Sequence, residues 1–195
     1  MNEIRPFNGA TIETSRLFLR PIGLADLQKM YENWASDDEV TKHLSWNTHQ
    51  SIEETKRVIT SWLLMYERPY FFQWVITIKE TQEAIGTISL FDLKFDLMQA
   101  EIGYCLGKTF WNQGYATEAL QGVIDYAFSR NNFRVLLAKH LIENPASGRV
   151  MEKCGMRYEG NLFKANCKSH QSGWLKCYKI TKAMWEENQP FPKTR

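Results

Sequence analysis

The sequence predicts an α/β fold in which a single mixed, mainly antiparallel central sheet is flanked by helices. Three observations predict it. Two helical apolar patterns lead the chain, β-rich runs follow at short spacing, and the remainder alternates helix and strand.

Leu17-Phe18-Leu19-Arg20 reads as a short strand that ends at Pro21, a residue with no N–H for a sheet ladder. Leu24, Leu27, Met30, Tyr31 and Trp34 then recur at helical spacing, with Asp37-Asp38 as the expected stop. Ser51 opens a second helix as its N-cap, and Glu54 completes a capping box. Val58, Ile59, Trp62, Leu63 and Met65 supply its apolar face. From Phe71 to Leu106 the period becomes that of strands. The runs Trp74 to Ile78, Ala84 to Leu90 and Glu101 to Leu106 are read as consecutive antiparallel strands. A helix from about Thr117 to Asn131, a strand at Arg134 to Leu141 and a helix from Pro145 to Cys154 closed by Gly155 follow. Met156 to Ile180 offers one or two further strands.

A length of 195 residues predicts one domain, residues 1–195, and 44% hydrophobic content is enough for a packed core. The formal charge of +2 argues against a nucleic-acid or membrane partner, because phosphate surfaces are held by many clustered cations. Cys105, Cys154, Cys167 and Cys177 show no C-x-x-C pairing and are read as free thiols of a reducing compartment. Met1 to Ala10 lacks the apolar core of a signal peptide, and no run approaches the roughly 18 apolar residues of a membrane span, so the expected location is cytoplasmic. His43, His49, His140 and His170 are too scattered for a metal site, and none is expected.

The strongest local signal is Leu106-Gly107-Lys108-Thr109-Phe110-Trp111-Asn112-Gln113-Gly114-Tyr115-Ala116-Thr117, set between a strand and a helix. Gly114 lets the backbone approach a ligand with no Cβ in the way, and small Ala116 keeps the next approach open. A helix beginning there offers unpaired N–H groups and a positive dipole end to an anion. No Gly-Lys-Ser/Thr follows the glycine and no three-glycine fingerprint is present, which argues against a Walker loop and a dinucleotide fold. An ordinary strand-to-helix turn would have the same local pattern.

Gln113-Gly114-Tyr115-Ala116 after Ile102-Gly103-Tyr104, followed by Asn144-Pro145-Ala146-Ser147 and Met151-Glu152-Lys153-Cys154-Gly155-Met156, resembles the GNAT superfamily of acetyl-CoA-dependent N-acetyltransferases. The opening strand, Thr14 to Pro21, is similar to that of the Rim-type branch, whose typical members acetylate N-terminal amines of ribosomal proteins. The likeness spans about Glu13 to Ile180. It implies the GNAT fold, acetyl-CoA as cosubstrate, and Gln113, Gly114, Tyr115, Ala116 and Thr117 on the pyrophosphate. It also implies Tyr104, Cys105 and Leu106 along the pantetheine arm. Asn112 and Tyr115 stand where the family commonly carries a second small residue and an Arg, with Lys108 nearby as a cation.

Amine attack on a thioester needs a deprotonated amine, an oxyanion donor and a proton for the thiolate. The resemblance makes Ser147 the candidate proton donor, although a Ser in a first helical turn also serves as a cap. Asn144 is a candidate for the pantetheine arm and equally the N-cap. Some Rim-type members carry an acidic residue late in the fold, where Asn166 stands here, so Glu101 is the candidate base, with a structural or solvated carboxylate as its other reading. Trp34, Trp46, Trp62 and Phe91 are aromatic candidates for an acceptor groove, and Trp46, set among Ser45, Asn47 and Thr48, is the one least expected in a core. The expected acceptor is a protein or peptide N-terminal amine. A small-molecule amine (an antibiotic, polyamine or amino acid) and a non-catalytic acyl-CoA-binding module are the other readings, and a homodimer stays open.

Overall fold

Residues 3–164 and 173–189 are described by a computed structural model. The strands are β1 (Ile12–Glu13), β2 (Leu17–Arg20), β3 (Phe72–Ile78), β4 (Ala84–Lys94), β5 (Gln99–Leu106), β6 (Val135–Leu141), β7 (Arg157–Lys164) and β8 (Gly173–Thr181). The α-helices are α1 (Leu27–Met30), α2 (Asp38–Thr41), α3 (Ile52–Met65), α4 (Tyr115–Ser129), α5 (Pro145–Lys153) and α6 (Lys182–Glu187). All eight strands form one sheet in the order β1-β2-β3-β4-β5-β6-β8-β7. Among the described residues only β5 and β6 pair in parallel; every other neighbour is antiparallel.

Side-chain alternation divides the core between the two faces of this sheet. Leu17, Leu19, Trp74, Ile76, Ile88 and Ile102 pack with Leu120, Val123, Ile124 and Ala127 of α4. On the other face Val75, Ala84 and Cys105 meet Met30, Trp34 and Ile59. Both sides of β3 are therefore covered, which is why it is buried almost throughout, polar Gln73 and Thr77 included. Trp34 is fully buried and belongs to this second cluster, so it is core rather than groove.

The expected first helix is divided. A 3-10 turn at Leu24–Asp26 leads into α1, and the chain then widens into a π-helical turn at Tyr31–Ala35. There the Tyr31 carbonyl accepts from both the Ser36 amide (3.2 Å) and the Ser36 hydroxyl (2.7 Å), a side-chain bond that favours the i→i+5 register. The helical run ends at Ser36, at the stop expected around Asp37-Asp38, and Asp37 also starts the next helix: its carboxylate accepts from the Glu39 amide at 2.8 Å and caps α2. Ser51 caps α3 as expected, accepting from the Glu54 amide at 3.3 Å, while Glu54 reaches back to the Gln50 amide at 2.9 Å.

Two terminal strands form, with β8 lying between β6 and β7. The short β1 and α6 went unforeseen, being only 2 and 6 residues long and too short for a periodic signal. Cys105, Cys154 and Cys177 are free thiols. Asn166, Cys167 and His170 lie outside the described residues.

Candidate active site

The parallel pair β5–β6 holds register from Gln99↔Val135 to Ile102↔Ala138 and goes no further. Beyond that point β5 stays paired with β4 as far as Leu106, and β6 with β8 as far as Leu141. The two strands therefore part after Ile102 and Ala138, and a wedge opens between them. The Gly107 amide donates to the Ile85 carbonyl at 2.9 Å on the β4 side, and the Met98 carbonyl accepts from the Arg134 amide at 2.8 Å on the β6 side. By strand alternation the amide and carbonyl of Tyr104 face the wedge, where β6 no longer pairs with them. The Leu106 carbonyl is engaged by the Trp111 indole N–H at 2.8 Å. Cys105 differs from its neighbours: its thiol lies on the opposite face, 3.4 Å from the Thr87 hydroxyl, and its backbone pairs with Thr87.

At the open end of the wedge the chain makes a 3-10 turn at Lys108–Phe110, then passes through Asn112 (φ 60°) and Gly114 (φ 83°) into α4. Gly114 is the N-cap, and no side chain caps this helix, so the amides of Tyr115, Ala116 and Thr117 point outward from its positive end. A groove of about 590 Å³ runs from Gly114 and Thr117 along α4 towards Arg130 and Lys153.

The cation beside this loop is Arg16, from the start of the chain. Its Nη1 donates to the Gln113 carbonyl at 3.1 Å, its Nε to Glu118 Oε2 at 2.7 Å, and its backbone amide to Glu118 Oε1 at 2.6 Å. The guanidinium carbon sits 4.4 Å from the centre of the Tyr115 ring. Burial alone would push the Glu118 carboxyl up, but hydrogen bonds from Thr14 and Arg16 and the Arg16 charge outweigh it and hold the carboxyl below its ordinary value. The clamp's contribution is thus present above the ordinary carboxylate range and is lost as pH falls through the lowered value. Lys108, the other cation expected nearby, opens the 3-10 turn that leads into the loop.

Across the wedge, Asn144 caps α5: its Oδ1 accepts from the Ser147 amide at 3.3 Å, with Pro145 at the first helical position. This arrangement frees the Ser147 hydroxyl from capping. Ser147 Oγ lies 2.9 Å from the Tyr104 hydroxyl, which also reaches the Ser147 carbonyl at 3.0 Å. Burial pushes the Tyr104 phenol well above its ordinary value, so it stays protonated. Cys154 donates through its thiol to the Thr117 carbonyl at 3.3 Å and ties α5 to α4.

In the comparison with known proteins, residues 16–157, which include the parted strand pair and the uncapped helix start, fit the family described as the acetyltransferase (GNAT) domain. The chain belongs to the GNAT acetyltransferase family. It is 33% identical over 151 residues to the uncharacterized N-acetyltransferase YoaA of Bacillus subtilis, covering 77% of this chain and 85% of that one. It is 32% identical over 116 residues to the ribosomal-protein-serine acetyltransferase of Escherichia coli, covering 60% of this chain and 64% of that one. A GNAT-family acetyltransferase structure from Bacillus anthracis superposes with a TM-score of 0.78 at 25% identity, covering 89% of this chain and 99% of that one. The protein is thus an acetyl-CoA-dependent N-acetyltransferase.

The remaining candidates of this GNAT domain are dispersed. Glu101 lies on the sheet face opposite Tyr104, where its Oε2 accepts from Lys139 Nζ at 2.5 Å. Trp46 is half-buried, its ring 5.3 Å from that of His49, and it lines a cleft of about 280 Å³ with Asp38, Thr41 and Thr48. His43 is pushed below its ordinary value by burial and by Lys42, with Glu143 and Glu39 opposing. His140 packs beneath α5, its Nδ1 donating to the Leu141 carbonyl at 2.7 Å.

Arg16 is a candidate site residue that the sequence did not single out, because its contacts to Gln113 and Glu118 are long-range. Arg16→Ala is expected to weaken acetyl-CoA binding about tenfold, on the scale of one net hydrogen bond. Because Arg16 is 46% exposed, the loss of stability should stay near or below about 1 kcal/mol. Calorimetry with denaturant melts checks both; unchanged affinity would leave Arg16 as a brace for β2 alone.

Proposed function

We propose that the protein acetylates the N-terminal amine of a protein or peptide by direct attack on acetyl-CoA. The observation that carries the reaction is the parting of β5 from β6, with anion-binding amides at its mouth and the Tyr104–Ser147 pair across it. The likeness to the ribosomal-protein-serine acetyltransferase supports the acceptor class.

In this reading the amides of Tyr115, Ala116 and Thr117 hold the pyrophosphate, and the groove along α4 takes the nucleotide end beside Arg130 and Lys153. The Tyr104 amide and carbonyl bind the pantetheine arm as a neighbouring strand would. The thioester supplies the acyl carbon and a sulfur leaving group. Ser147 donates its hydroxyl proton to that sulfur, and Glu101 takes the amine's proton through water on the oxygen not engaged by Lys139. Trp46 walls the acceptor side. Holding both substrates in attack geometry supplies much of the acceleration, so no covalent enzyme intermediate is needed.

Acetyl-CoA at a hundred times its dissociation constant is expected to stabilise the fold by about 2.7 kcal/mol, and nicotinamide dinucleotides by nothing. Thermal denaturation measures this, and no shift at saturation would remove the cofactor assignment. Acceptor-dependent CoA release should be fastest with short peptides bearing free N-termini. Faster release with polyamines, amino acids or aminoglycosides would move the acceptor to small molecules, and tight binding without release would leave a non-catalytic module.

A further inference from the structure

We propose that Tyr104 is a positioning residue for proton donation: its hydroxyl holds Ser147 at rest through the Ser147 carbonyl and turns to the Ser147 hydroxyl oxygen as that oxygen protonates the departing sulfur. The inference rests on the acetyl-transfer reading above.

Two contacts on one residue carry it. The Tyr104 oxygen is 3.0 Å from the Ser147 carbonyl and 2.9 Å from Ser147 Oγ. A carbonyl only accepts, so the bond to it uses the phenol's single proton. In the shorter contact the donor must then be Ser147, whose proton rests on the Tyr104 oxygen. The Asn144 carboxamide satisfies the Ser147 amide, so the start of α5 makes no other demand on the Ser147 hydroxyl. Serine is free to turn outward, and nothing else among the described residues competes for its proton.

When the C–S bond breaks, the Ser147 O–H turns from the phenol to the sulfur and gives up its proton. Negative charge then grows on Oγ. The Tyr104 hydroxyl, released from holding the serine proton, is already within hydrogen-bond reach of that oxygen and needs only a rotation about its C–O bond to donate to it. A donor placed where charge develops stabilises the transition state more than the ground state. The new N–C bond leaves the nitrogen with one proton in excess; Glu101 takes it through water, and its onward passage through water restores the Ser147 hydroxyl and the free carboxylate. The overall balance is one proton lost by nitrogen and one gained by sulfur. Tyr104 keeps its own throughout, which its burial between β5 and α5 favours.

Tyr104→Phe removes the hydroxyl and little else. It is expected to lower kcat by about tenfold to a hundredfold, at the low end of a proton-transfer contribution. The acetyl-CoA dissociation constant from calorimetry should hardly move and the melting temperature should fall by only the few degrees that the two lost hydrogen bonds account for, whereas a merely structural tyrosine would show that same fall with kcat of the folded enzyme unchanged. Because Tyr104 acts through Ser147, the double variant Y104F/S147A should be no slower than S147A alone. Multiplied losses in the double variant, or wild-type kcat in Y104F, would overturn the proposal. Should Y104F fail to fold, fluorinated tyrosines at position 104 keep the volume and grade the acidity of the donor. The rate is then expected to rise with that acidity, and indifference to it would overturn the proposal. Failure of the underlying function looks different: wild-type protein would bind no acetyl-CoA, or release no CoA with any amine.

Discussion

Gly114→Val is expected to lower acetyl-CoA affinity at least a hundredfold, to the limit of calorimetric detection, in protein that still folds. Gly114 sits at φ 83°, a left-handed conformation that L side chains rarely adopt, and a Cβ there would stand 3.3 Å from Arg16 Nη2. A branched side chain is strained by about 1–3 kcal/mol in this region, so some loss of stability accompanies the loss of binding. The binding effect is larger because the same side chain fills the approach to the amides of Tyr115 and Ala116 and displaces the Arg16 guanidinium. Gly114→Asn separates the two causes, since asparagine tolerates the left-handed region but still brings a side chain to the cradle. Its stability in denaturant melts should approach wild type while its affinity stays low. Wild-type affinity in folded Gly114→Val protein would place the anion elsewhere.

Ser147→Ala carries the second large effect. With Ser147 as proton donor, kcat is expected to fall by about a hundredfold or more, the usual scale for a general acid, with the acetyl-CoA dissociation constant almost unchanged. The stability cost should be about 1 kcal/mol, that of the bond to Tyr104, because the cap of α5 belongs to Asn144. Asn144→Ala gives the opposite signature on this helix, with about 0.5–2 kcal/mol of stability lost through the cap itself. Initial rates at saturating substrates beside denaturant melts distinguish the two. A burst of CoA release would show that product release hides the chemical step and that single-turnover rates are needed. A stable, fully active Ser147→Ala protein would exclude the proton-donor role.

Local chemistry made much of this protein legible from its residues. The period of two in β3 to β5, the Ser51 cap, the Asn144-Pro145 helix start and the demand for glycine at position 114 are all decided within a few residues. Strand alternation also shows that Tyr104 and Cys105, adjacent in sequence, must face opposite ways, a distinction lost when Tyr104 to Leu106 were grouped as one contact. Shorter features escaped for the same local reason: β1, α2 and α6 do not repeat a period long enough to read.

The tertiary structure alone decided which groups meet. Arg16 reaches Gln113 across 97 residues and Glu118 across 102, and Tyr104 reaches Ser147 across 43. Periodicity reports which face a residue occupies but not what lies opposite, because partners are set by strand order and by where pairing ends. Here β8 enters beside β6, and β6 follows it away from β5 after Ala138. That divergence, a property of neither strand's sequence taken singly, opens the wedge and leaves the Tyr104 backbone facing it.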